Sequence, residues 1–395
     1  MQLITFFRSL RRDNITLIIG LIMKLLLSVF LLLFTIFANT AHSQSIQIEI
    51  DNQHANLEPG VFKTDSGLMS KQGNTVVIEG NRNYFSYNNP ASASFSGNFK
   101  KAGLITFGEV PKRITVGHDG NQLSESESEF LDPGDDSIHV LQFDDGRSIV
   151  RDNIANFTLY DAAGKQVMTI SNSSQSPDGE RVSGIKSDPG GRSVVLYNPE
   201  IRMGEIKRSR ASLINRKNQD LNTFYEAEGR TIDDVIISEN GSYILLITKS
   251  GTNHFVTVYD RFGNEIFDLE AEFELRGATI TGDGNYLTIY SGGRAQVYNT
   301  LSSERLGSAS LRGNLVFASY QPEDDTIILL GGEESGMNIS NPEVSAVNIG
   351  LRQIARGEAN AEVTKAGYNL SVNRTAPNQY TVIGFNKNLL LTTNF

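Results

Sequence analysis

The chain has 395 residues, a formal net charge of −10, 36 glycines, and neither cysteine nor tryptophan. Those figures exclude disulfides, thiolate metal sites, cysteine nucleophiles and a lipid-modified N-terminal cysteine. They also give no electrostatic case for nucleic acid or anionic lipid as a main ligand.

The first element in chain order reads as a targeting signal. Residues Leu25 to Ala38 are nearly all apolar, Met23 and Lys24 precede them, and small Ala41 and Ser43 stand before a cut at Gln44. Upstream lie Arg8, Arg11, Arg12 and a second apolar stretch from Ile15 to Ile22. Read as one unit, residues 15–38 are long enough to span a bilayer as an uncleaved anchor, although Lys24 in the middle opposes that. The expectation is a signal peptide over residues 1–43, with Met23 as an alternative start. Either reading directs the rest of the chain outward, so it is expected to be periplasmic, cell-surface or secreted. A membrane contact is expected only where residues 15–38 stay as an anchor. Removing residues 1–43 deletes four basic residues (Arg8, Arg11, Arg12, Lys24) and Asp13, which takes the net charge to about −13.

Residues 44–136 form a less regular β region with strand-like runs at Ile46 to Ile50, Thr75 to Glu79, Leu104 to Phe107 and Arg113 to Val116. They are expected to supply the first one or two units of a repeat that fills residues 137–395. A turn of Asp, Asn, Ser or Thr with Gly, followed by a β-rich run, recurs from Asp144-Asp-Gly146 through Asp188-Pro-Gly190, Ser238-Glu-Asn-Gly241 and Thr281-Gly-Asp-Gly284. Degenerate copies follow at Pro322-Glu-Asp324 and Ala366-Gly367. The spacing is roughly 41 to 50 residues, the period of a propeller blade. A second segment trails the first: Phe157-Thr-Leu-Tyr160-Asp161 with Gly164, Val256-Thr-Val-Tyr259-Asp260 with Gly263, and Ala295-Gln-Val-Tyr298-Asn299. It describes a strand entering a tight hairpin, where Asp or Asn bonds its own backbone and Gly takes positive φ.

No stretch after residue 45 keeps a helical apolar period, so the fold class is all-β. A β-sandwich leaves the repeat unexplained. The expected fold is therefore a β-propeller of four-stranded antiparallel blades, seven in number within a range of six to eight, closed by pairing its terminal strands. The turns Ser176-Pro-Asp-Gly179, Ser238-Glu-Asn-Gly241 and Thr281-Gly-Asp-Gly284 resemble the Ser-Pro-Asp-Gly turn in the propeller repeats of the periplasmic translocation protein TolB and its relatives. The Val-Tyr-Asp-x-x-Gly strand end is similar to that of WD-type and quinoprotein-like repeats. The resemblance covers roughly residues 137–350 and is to a repeat class. The missing tryptophan removes the Trp-Asp signature, and Gly directly after Asp departs from the sialidase Asp-box.

Candidate site residues are few. His118, His139, His254 and His54 show no zinc spacing, and Ser183-Gly-Ile-Lys186 lacks the helix and partner motifs of penicillin-binding enzymes. No cofactor and no metal is expected. Six carboxylates between Ser124 and Asp136 read as a solvated loop. A basic stretch from Ile201 to Lys217 offers a binding patch, with Arg202, Lys207, Arg208 and Arg210, joined by the aromatic Tyr259. Its alternation also suits an exposed strand. The function these features imply is a non-catalytic module that binds an unidentified protein or glycan in the cell envelope. The alternative is a propeller-type polysaccharide hydrolase or lyase, which requires carboxylates converging at the channel mouth.

Overall fold

The computed structural model describes residues 44–395 apart from 52–60, 65–66, 73–74, 81–83, 89–91, 97–99, 128–138, 153–155, 171–183, 189, 204–205, 216–219, 312, 337, 365–369 and 386–387. The leader expected over residues 1–43 and the turn Ser176–Gly179 lie outside the described residues. Among those described, the strands form eight antiparallel sheets, seven of them four-stranded and one with an additional fifth strand. Eight is the upper end of the expected range. No described helix is long and apolar enough to cross a membrane.

Blade one runs from Val61–Thr64 to Tyr84–Asn88, and blade two from Ser92–Phe95 to Gln122–Glu127. Blades three to six start at His139–Gln142, Gly184–Ser187, Thr231–Ile237 and Gly277–Ile280 and end at Gln166–Ile170, Asp220–Glu228, Glu265–Ala271 and Arg305–Ser310. Blade seven runs from Leu315–Gln321 to Gln353–Glu358, and Glu362–Thr364 adds to its strand Asn338–Asn348. Blade eight joins Ser371–Ala376, Gln379–Ile383 and Asn388–Thr393 to the N-terminal strand Ile46–Asp51. The two ends of the chain thus pair within one sheet, Ile46 opposite Thr393 and Asp51 opposite Asn388. That pairing covers the edge of the last strand, which would otherwise be open to another chain.

First strands of neighbouring blades pack side by side, Thr231–Ile237 on Gly277–Ile280 and Leu315–Gln321 on Ser371–Ala376, which places them at the hub. The second strands read as continuous apolar runs because both of their faces are buried. In blade five, Ile244 and Leu246 face the layer shared with blade four, while Leu245 and Ile247 face blade six. In blade seven, Ile327 and Leu329 face blade six, and Ile328 and Leu330 face blade eight. The core is therefore a series of apolar layers between blades.

Antiparallel order puts the turn after the first strand (the inner turn) and the turn after the third strand (the outer turn) at the same end of each sheet. We term this the turn face; the hairpins after the second strands and the crossovers between blades make the opposite, crossover face. The inner turns of blades three to six each close on a Gly at positive φ, as where Gly241 N–H donates to Ser238 and Gly284 N–H to Thr281; Asp325 takes that place in blade seven and Asn378 in blade eight. These turns are then tied to one another around the ring. Lys101 Nζ donates to Asp144 O, Arg147 to Gly190 O, Ser193 Oγ to Gly241 O, and Asn240 Nδ2 to Gly282 O. Tyr243 Oη donates to Asp283 O at 2.7 Å. The repeated turn chemistry is a belt that holds adjacent blades in register. At blades seven and eight a charged clasp replaces it: Arg374 donates two bonds to Asp324, at 2.7 and 2.8 Å, and Tyr380 Oη adds a third at 2.9 Å.

Candidate functional site

The outer turns match the sequence expectation. Asp260 Oδ1 accepts from the N–H groups of Phe262 and Asn264 at 2.8 and 2.9 Å, and Gly263 takes φ +87°. Asp161 and Gly164 repeat this geometry in blade three. Burial works against the Asp260 charge, but bonds from Asn264, Phe262 and Gly263 outweigh it and hold the carboxyl below its usual range. The Tyr-Asp strand is the third of four in its blade, with one further strand outside it.

Sequence candidates are dispersed. Lys207, Arg208 and Arg210 lie on Ile206–Asn215, the third strand of blade four. Lys207 pairs with Glu200 at 3.1 Å, Arg208 with Glu226 and Glu228 at 3.0 and 2.9 Å, and Arg210 with Glu226 at 3.4 Å. The backbone of Arg202 lies opposite Lys207 in the adjoining strand. The basic stretch thus runs beside acidic residues of Asp220–Glu228, so it is a cross-strand ladder of ion pairs. Tyr259 is not on this strip. It is 4% exposed, packs edge-on to Phe224 at 4.9 Å between blades four and five, and burial pushes its phenol pKa up. Asp260 at the strand end points into the turn, so its neighbour Tyr259 faces the apolar layer. Glu125 and Glu127, read as part of a loop, belong to the outer strand Gln122–Glu127, where Glu125 pairs with Lys112; residues 128–136 of that acidic stretch lie outside the described residues. His118 sits in the outer turn of blade two, and its neighbour Asp119 accepts bonds from Asn121.

A different cluster lies on the crossover face. Arg230, Arg276 and Asn314 each stand one residue before a first strand, in blades five, six and seven, and so rim the hub. Arg230 Cζ lies 3.9 Å from the ring centre of Phe255, and Arg294 Cζ lies 4.2 Å from that of Phe273. Beyond its stack, Arg230 has no hydrogen bond or ion pair with the described residues. Arg276 bridges to blade seven by donating to Leu315 O at 3.2 Å, to Asn314 Oδ1 and to Glu334. Glu272 accepts from Gln296 at 2.9 Å and from Arg305 at 3.3 Å. Asp234 stands 3.5 Å from Lys186 across the first strands of blades five and four.

The hub carboxylates Asp234 and Glu334 are therefore each paired with a cation. Among the described residues every carboxylate with a displaced pKa is displaced downward: Asp119, Glu125, Asp260, Asp283 and Asp324. The described residues also hold no group of three acidic or imidazole ligands arranged for a metal. Chemically, this face offers stacked guanidinium groups, aromatic rings and fixed charges, which is recognition chemistry. Reading the sequence for basic runs missed it. The available signal was an Arg directly before the first strand in two successive repeats.

Ringed four-stranded blades, inter-blade apolar layers and a closing terminal strand define a β-propeller. One solved structure agrees. The chain matches "Structure of Dos1 propeller" over 78% of its own length and 78% of that chain, at 15% identity and a TM-score of 0.50. It aligns with BamB from Moraxella catarrhalis over 88% of its length and 97% of that chain, at 16% identity and a TM-score of 0.43. No protein family and no curated protein matches the chain. At such identities the likeness shows the fold alone, and a propeller scaffold hosts many unrelated functions.

Proposed function

We propose that the chain is an exported, non-catalytic propeller that binds a protein partner through the crossover face of blades five to seven. The observation that carries this reading is Arg230, which precedes the first strand of blade five and lies 3.9 Å over Phe255 of its third strand, with its donors unpaired among the described residues. A guanidinium held flat on a ring has already given up much of its rotamer freedom, so its bonds to a partner cost less ordering. Arg and aromatic residues are the side chains that carry most binding energy at interfaces. Next to it, Arg276, Asn314 and Glu334 form a cross-blade polar rim that fixes orientation. Export is supported by the apolar run Leu25 to Ala38 with its basic entry and small-residue exit.

Charge reversal tests this. Arg230→Glu is expected to weaken capture of the partner from a native envelope extract by about 30-fold or more, the scale of a central interface arginine. Lys165→Glu, on the exposed outer turn of blade three, is expected to leave capture unchanged. Equal loss from both variants, or from neither, contradicts the assignment.

A further inference from the structure

Three outer turns in succession carry a large apolar side chain at their tips. Phe262 in blade five, Leu301 in blade six and Leu351 in blade seven are 62%, 78% and 63% exposed, against 47% or less for every other exposed large hydrophobic among the described residues. The placement is systematic: the N–H of each one bonds to the Asp or Asn at its own strand end, Asp260, Asn299 or Asn348, at 2.7–2.9 Å. That bond turns the backbone so that the following side chain leaves the blade. The corresponding tips of blades two and three carry Asp119 and Ala163 instead.

Single exposed hydrophobics are ordinary on protein surfaces, but these three share one face and one arc. A protein partner needs a contiguous patch of several hundred Å² on each side, which tips on separate blades do not form. A bilayer has no such requirement, because a fluid interface takes up each side chain independently. Arg261 lies 4.7 Å over the Phe262 ring, which sets a guanidinium beside an apolar tip where it meets headgroup phosphate, and Arg352 follows Leu351 in sequence. The chain also enters at this face. Ile46 begins the closing strand at the turn-face end of blade eight, and Gln44 Oε1 accepts from Ile354 N–H, three residues from Leu351. Ala38, the end of the apolar run, lies six residues before Gln44, a reach of at most about 20 Å. Tether and tips are therefore on one side of the ring.

We propose that, in the form of the chain that keeps residues 15–38, the turn face of blades five to seven rests on a phospholipid bilayer with Phe262, Leu301 and Leu351 in its interfacial layer. The crossover face then points away from the membrane. The absence of tryptophan gives a direct readout, since one introduced indole is the sole such fluorophore. The full chain is reconstituted into zwitterionic phosphatidylcholine vesicles with a fraction of brominated acyl chains. Phe262→Trp, Leu301→Trp and Leu351→Trp are compared with Thr252→Trp, on the exposed second–third hairpin of blade five. The three tip indoles are expected to be quenched at least twofold more than the control, with blue-shifted emission. Equal quenching on both faces, or none at the tips, overturns the proposal. So does a tip blue shift that appears in detergent and grows with protein concentration, which marks a second copy of the chain. Trypsin supplies an indole-free check: vesicles are expected to protect cleavage after Arg261 and Arg352, and Ser at all three tips to restore it. Cleavage after both arginines in vesicle-bound wild type overturns the proposal as well.

Discussion

Arg113 and Asp324 occupy comparable places between blades and solve their burial differently. Arg113 is fully buried between blades two and three, donating to Ser148, Ser124 and Thr115 at 2.6, 3.2 and 2.6 Å and lying 5.1 Å over the Tyr160 ring. None of these three acceptors is charged, and burial pushes its pKa down to about 10. Asp324 has a charged partner: the Arg374 guanidinium holds its carboxyl below the usual range against partial burial. A depressed folded pKa means that this contribution is complete above the unfolded value, near 4, and is lost as pH falls through the folded value. Asp324→Asn is expected to cost about 1–3 kcal/mol at pH 7. The gap from wild type is expected to narrow as pH falls below about 4 and to close only once the folded carboxyl is itself protonated. Urea unfolding midpoints from pH 7 downward measure it, and a gap that does not narrow at all below about pH 4 contradicts the clasp.

At the scale of the element, inner turns and outer turns were legible because their chemistry is local. Asp, Asn, Ser or Thr accepts from its own following backbone, and Gly supplies positive φ, so both partners sit within five residues. Gly284 adds a second constraint: at φ +77° a Cβ would run into the Tyr243 ring of the preceding blade. Gly251, at φ +60° on a second–third hairpin, has nothing within 4 Å. Gly251→Ala is expected to cost about 1–2 kcal/mol for the backbone alone. Gly284→Ala is expected to cost clearly more, because the belt bond from Tyr243 to Asp283 is displaced as well. Calorimetric midpoints of the two variants compare them, and equal costs contradict a packing role for the belt. What the sequence did not yield are contacts whose partners lie on another strand, beyond the local turn. The basic stretch 201–217 looked free because Glu226 and Glu228, its partners, are up to 20 residues further on. Tyr259 looked available because alternation alone does not say which strand faces are both covered. Arg230 drew no notice because Phe255 stands behind an intervening strand pair.

For the whole molecule, closing the ring with Ile46–Asp51 does more than protect an edge. It fixes the entry of the described chain on the turn face and leaves the crossover face of blades five to seven, with Arg230 and Arg276 before its first strands, on the opposite side. The inter-blade layers make the scaffold rigid, so the proposed partner would meet a preformed surface. Site-specific photocrosslinking in the native envelope tests the division most directly. A photoreactive side chain at Thr252, on the crossover face, is expected to give a discrete protein adduct that Arg230→Glu abolishes. The same group at Asp283, on an inner turn, is expected to give none. Adducts from Asp283 alone, or adducts from Thr252 that survive Arg230→Glu, contradict the account.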